Sequence, residues 1–174
     1  MSLSWKLAAC ALVCLGSVTA AAQPSDQLLA ARVLGPQWKK MVHTAGMVFS
    51  GTVVGVEASP AKHRAVPTIQ IKLRVDCAIA GVEAGQVLTI REWAGAWSMH
   101  RPMHPGEHLL LLLYPPSLLG FTSPVSGARG QIALDASGTR VASPLKERRT
   151  WDTLQTVNVS VLQLERAIRS ARME

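Results

Sequence analysis

At 174 residues, with 48% hydrophobic and 17% charged side chains, the chain is the size of one domain and too apolar to stay disordered. Its net charge of +7 favours solubility and acidic surfaces but says nothing of fold. The basic residues are spread along the chain, and the one denser group, Lys146, Arg148 and Arg149, reads as a solvated face, so nucleic acid is not expected as a partner.

Residues 1–22 have the pattern of a secretory signal peptide. A short basic start ends at Lys6, an apolar core runs from Leu7 to Val18, and Thr19-Ala20-Ala21-Ala22 offers small residues for cleavage before Gln23. The apolar run falls short of the ~20 residues that a spanning helix needs, so no retained transmembrane helix is expected. Leu7-Ala8-Ala9-Cys10 stands at the start of the apolar core instead of its end, which argues against a lipoprotein. The expected location is secreted or periplasmic. Loss of the leader removes Cys10 and Cys14, leaving Cys77 without an intrachain partner, so the fold must stand on its core.

Residues 23–45 read as a helical lead-in of two short helices split by Gly35-Pro36. Ser25 is placed to cap the first, and Trp38, Met41 and Val42 line one face of the second. A β domain is expected over 46–143. Residues 47–57 form its first strand, with Gly51 and Gly55 allowing a bend or a close backbone approach. After a loop over 60–67 comes a clear alternation: Ile69, Ile71, Leu73, Val75, Cys77 and Ile79 on one face, Gln70, Lys72, Arg74 and Asp76 on the other. That pattern puts Cys77 among apolar neighbours, where a thiol pKa rises and reactivity falls. Gly81 and Gly85 bracket a turn into a third strand over 86–93, with Leu88 and Ile90 inward.

The run Glu107-His108-Leu109-Leu110-Leu111-Leu112-Leu113-Tyr114, stopped by Pro105-Gly106 and by Pro115-Pro116, is the expected central strand, buried on both faces. A hairpin over 131–142 turns at Asp135-Ala136-Ser137-Gly138. The C-terminal extension, 144–174, carries a helix over 161–171 that Ser160 is placed to cap. Val161, Leu164, Ala167, Ile168 and Ala171 form its apolar stripe, with Glu165, Arg166, Arg169 and Arg172 mostly outside it. The element order gives the expected class: mainly β, a small OB-like Greek-key barrel of about five strands with a C-terminal helix and a short N-terminal helical segment.

Four stretches also carry a resemblance: Val48-Phe49-Ser50-Gly51-Thr52-Val53-Val54; Gly85-Gln86-Val87-Leu88-Thr89-Ile90; Pro105-Gly106-Glu107 running into the leucines; and Gly120-Phe121-Thr122-Ser123-Pro124. Over residues 45–135 the chain resembles secreted bacterial proteins with a domain similar to the tissue-inhibitor-of-metalloproteinase and netrin modules. The resemblance implies an OB-like barrel. It would also imply protease inhibition through an N-terminal cysteine that chelates zinc, but a chain starting near Gln23 has no such cysteine, and that mechanism carries over to no residue here.

Chemistry-bearing motifs are few. Neither a Walker loop, a dinucleotide fingerprint nor a G-x-S-x-G elbow occurs, and Asp76, Glu83, Glu92 and Glu107 are scattered, so no enzyme activity is expected. In the loop over 120–130, Gly127 and Gly130 read as turn residues with positive φ, with an anion nest assisted by Arg129 as the functional alternative. The expected role is a binding module for a secreted protein or peptide, using the loops over 94–105 and 118–130. Trp93, Trp97, Arg101, Phe121, Thr122, Ser123 and Arg129 are the candidate contacts. The alternative is copper binding by His100, His104 and His108 with Met99 and Met103, since thioethers suit the cuprous ion and imidazole either state. Pro102 and Pro105 oppose the helix that would bring those histidines to one face.

Overall fold

The computed structural model describes residues 24–59, 66–142 and 159–174. The expected leader and the basic group at Lys146, Arg148 and Arg149 lie outside the described residues, as do 60–65 and the rest of 143–158.

The chain forms helices α1 (Pro24–Leu34) and α2 (Trp38–Thr44), then strands β1 (Met47–Ser59), β2 (Thr68–Ala80) and β3 (Val87–Trp93). A four-residue helix α3 (Ala94–Trp97), strands β4 (His108–Leu113) and β5 (Gln131–Ala133), and helix α4 (Val161–Met173) follow. Proline suits a first helical position, and α1 begins at Pro24, so Ser25 falls inside the first turn instead of capping it. Ser160 does stand at the N-cap of α4, but only its carbonyl takes part, accepting from the Gln163 and Leu164 amides.

The fold is mainly β. Five antiparallel strands lie in the order β3-β2-β1-β4-β5. Three consecutive strands joined in sequence and a fourth returning beside the first is the Greek-key order. The sheet is not closed: β3 and β5 are not paired, and beyond β2 the backbone of β3 meets the loop after β4, through a parallel bridge between Arg91 and Phe121. The expected 131–142 hairpin continues from β5, with a bridge between Leu134 and Val141.

β4 lies between β1 and β5, and all five of its leucines are fully buried. Alternation sends Leu110 and Leu112 to one face, where Val48, Ile132 and Leu134 join Leu34, Trp38, Met41 and Val42 of α1 and α2 and Leu164 and Ile168 of α4. Leu109, Leu111 and Leu113 go to the other, against Phe49, Val53, Ile71, Leu73, Val75, Ile90 and Met103. Each buried leucine contributes roughly 2 kcal/mol. The helix stripe Val161, Leu164, Ala167, Ile168 and Ala171 is buried as its spacing requires.

Three bulges shape the long β1–β2 ladder. Ile79 and Asp76 are extra residues in β2, and Val54 is extra in β1. A bulge bends its strand and increases its twist, which is how two strands of this length curl around a core. Gly51 sits beside one of them, where a Cβ would come within 2.4 Å of the Arg74 carbonyl. The bulge at Asp76 also corrects the expected alternation. Val75 faces the second core with Ile71 and Leu73, but Cys77 is turned to the opposite face, toward α4.

Leu111→Ala is expected to destabilise the protein by about 3 kcal/mol, because the void would open in the middle of a strand covered on both faces. Urea unfolding followed by tryptophan fluorescence measures it.

Candidate functional site

The loop after β4 is short of regular structure but firmly held. The Tyr114 amide donates to the Ser123 carbonyl (3.0 Å), the Ser117 amide to the Phe121 carbonyl (2.8 Å), and the Gly120 amide to the Ser117 carbonyl (2.8 Å). The Phe121 amide donates to Ser117 Oγ (3.1 Å), and the Thr122 amide to the Arg91 carbonyl (2.9 Å), which ties the loop to β3. At the tip Leu118 is fully exposed and Leu119 is 73% exposed. Both leucines lie in the expected 118–130 loop but not among its named contacts; their signal in the sequence is an apolar pair inside a Pro, Ser and Gly loop.

The sequence-predicted contacts divide by environment. Trp93 is half exposed, with Gly95 lying close under its indole. Phe121 lies under the Arg91 guanidinium, 4.9 Å from the ring centre, so these two sit together where the loop meets β3. Thr122 is buried, and its hydroxyl donates to the Tyr114 carbonyl (2.6 Å). It fixes the loop and is not part of the expected contact surface. Ser123 serves mainly through its carbonyl. Trp97 is half-buried, edge-on to His100. Arg101 is exposed and paired with Glu107 at 2.8 Å. Arg129 is exposed near Gly35, in the α1–α2 connection. Gly127 does have the expected positive φ of 62°, but Gly130 is required for close packing instead, with a Cβ there 2.4 Å from the Val125 carbonyl.

The five candidate copper donors are dispersed. Met103 is buried in the second core and Met99 is exposed. His100 is buried against Glu92, His104 is exposed, and His108 faces Thr52. Among the described residues no three His, Cys, Asp or Glu side chains converge to hold a metal ion.

Two polar clusters were not legible in the sequence. The first follows from register: Thr52 on β1 pairs with Arg74 on one side and with His108 on the other. The bulge brings in Asp76, whose Oδ2 accepts from the Thr52 hydroxyl (2.8 Å), while Arg74 donates to both Thr52 (3.2 Å) and Asp76 (3.1 Å). Thr52 has one proton, given to Asp76, so His108 Nδ1 at 3.1 Å must be the donor to Thr52 Oγ1. Arg74, Asp76 and His108 line an open cleft of about 260 Å³ with Gly51, Ser137 and Gly138. Its polar groups satisfy one another. Asp76 Oδ2 accepts from Thr52 and lies 3.8 Å from His108 Nδ1, too far for a hydrogen bond between them.

The second cluster lies beneath α4. Glu165, expected outside the apolar stripe, is buried, and its carboxylate accepts from Ser50 Oγ (2.9 Å) and Cys77 Sγ (3.2 Å). Arg169 reaches Cys77 Sγ (3.2 Å) and the Ala78 carbonyl (3.0 Å). Burial first, and then the hydrogen bond and negative charge of Glu165, push the Cys77 thiol pKa up, outweighing Arg169. A raised pKa means less thiolate near neutrality and slow chemistry.

Compared with protein-family models, with curated proteins and with solved structures, the chain matches none. Its functional reading therefore rests on its own geometry.

Alkylation of Cys77 by iodoacetamide at pH 8, followed on the Cys77 peptide by mass spectrometry, is expected to be several-fold slower in the folded than in the unfolded chain. Glu165→Gln should recover part of that difference, because the charge goes and the burial stays.

Proposed function

We propose that this chain is a secreted or periplasmic, non-enzymatic binding module that takes a protein or peptide partner through the loops over 94–105 and 118–130. The observation that carries the reading is the tip at Leu118 and Leu119: two leucines held out to solvent on a loop whose backbone is pinned to itself and to β3. Exposed apolar side chains on an ordered support lose little conformational freedom on binding, which removes one of the costs that association must overcome. Half-exposed Trp93 and exposed Tyr114, in or beside the same loop–strand junction, add the aromatic side chains that most often dominate interface energies. The net positive charge favours a partner with an acidic rim around an apolar pocket.

The tissue-inhibitor and netrin resemblance is consistent with a role in binding, but a chain starting at Gln23 would lack the cysteine on which inhibition by those modules would depend. The location rests on the leader pattern before Gln23. The copper alternative draws no support from the geometry, since His100 and Met103 are turned into the interior.

The test is affinity capture from envelope extract and culture supernatant with the chain from Gln23 as bait, against two variants. Leu118→Ser with Leu119→Ser should abolish capture of the partner and shift stability by no more than about 0.5 kcal/mol, as expected of surface sites. Leu28→Ser, at an exposed leucine on α1, should leave capture intact. Equal capture by all three proteins would overturn the reading. N-terminal sequencing of the exported protein is expected to begin at Gln23.

A further inference from the structure

At the edge of β3 that lacks a strand partner, side chains meet where strand pairing is missing. Glu92 points inward from β3, in step with Leu88 and Ile90, and its side chain is only 1% exposed. His100, on the segment after α3, has a side chain 2% exposed and places Nε2 2.9 Å from Glu92 Oε1. Its other nitrogen, Nδ1, lies 3.2 Å from the Arg101 carbonyl oxygen. From β5, Gln131 approaches the same imidazole, and from α3 the Trp97 ring meets it edge-on at 5.4 Å. Gln131 is close enough to favour the charged ring, although among the described residues neither its Nε2 nor its Oε1 has a hydrogen-bond partner, nor does Glu92 Oε2.

We propose that His100 is a proton-operated latch: doubly protonated, it ties residues 97–101 to β3 at the open side of the sheet, and loss of one proton releases that segment. Both ring nitrogens face acceptors, and only the imidazolium has a proton for each. A neutral ring must leave a lone pair against either the Glu92 carboxylate or the Arg101 carbonyl. Burial leaves that clash little exposed to solvent, and the carboxylate loses its counter-charge. Glu92 is the charged group that faces the ring among the described residues. The Glu92 hydrogen bond raises the His100 pKa, against the lowering effect of burial, with help from the Arg101 carbonyl, the Glu92 charge and Gln131.

The sign follows from linkage. A histidine whose folded pKa lies above its unfolded value of 6.5 contributes stability that is complete below that value and is lost as pH rises through the folded pKa. The latch is therefore closed in acid and opens on the alkaline side. Residues 97–101 carry Trp97 and Arg101, so its consequence for partner binding rests on the proposed function, whereas the latch itself does not.

Two measurements on the full chain test it. Histidine ring NMR should give His100 a titration midpoint above 6.5. Hydrogen exchange, corrected for the intrinsic pH dependence of amide exchange, should show protection of residues 98–104 falling several-fold through the same midpoint while that of β4 holds. Glu92→Gln should lower the midpoint and leave the segment poorly protected even in acid. If that variant fails to fold, the wild-type titration still decides. A midpoint at or below 6.5, or protection of the segment that ignores it, overturns the latch. Capture compared at pH 6 and pH 9 reads the binding consequence separately, so failure to find a partner leaves the latch result standing.

Discussion

A strand that is apolar on both sides cannot lie at a surface, and β4 imposes that constraint on everything else. Its leucines require a cover on each face and a hydrogen-bonding neighbour on each edge. β1 and β5 provide the edges. The curl of β1, β2 and β3 covers one face, and α1, α2 and α4, drawn from opposite ends of the chain, cover the other. Without α4 the even-numbered leucines would meet water, so the last residues of the chain are as much part of the core as the first strand.

Polar groups occur where that cover runs out. On the helix-facing side, apolar Val48 and Leu112 give way to Ser50 and then to Thr52 as β1 passes out from under α4. Glu165 is tolerated beneath the helix because Ser50 and Cys77 both donate to it. On the other side, at the edge of β3 that faces away from β2, Glu92 is bound to His100 of the segment after α3 instead of to a strand partner. A ladder would be insensitive to pH, whereas a charge pair is not. The loop with the exposed leucines is anchored at this same margin, where Thr122 bonds to Arg91, so the open side of the sheet and the proposed binding surface are neighbours.

Several side chains show where reading the sequence stopped. Glu92 had a usable signal, since it continues the inward positions of Leu88 and Ile90; an acid on an inward position needs a partner, and His100 is eight residues on. Cys77 was misplaced because a period of two assumes an unbroken ladder, and one extra residue at Asp76 turns Cys77 to the other face. Thr52, Arg74, Asp76 and His108 come from three strands whose register no local pattern reveals. Thr122, taken for a contact, is turned inward by a bond to Tyr114 that exists only once the loop has folded back.

The sequence by itself determined the mainly β class, the doubly buried leucine strand, the alternating second strand and the amphipathic final helix. Each of these is written in hydrophobic periodicity within a single element, because a side chain's face depends there on nothing farther away than the next few residues. Only the tertiary structure decided that the sheet stays open between β3 and β5, that Glu165 and Glu92 are buried, and which loop residues face solvent. Those outcomes depend on register, bulges and contacts between distant segments, and their energies exist only when the segments meet.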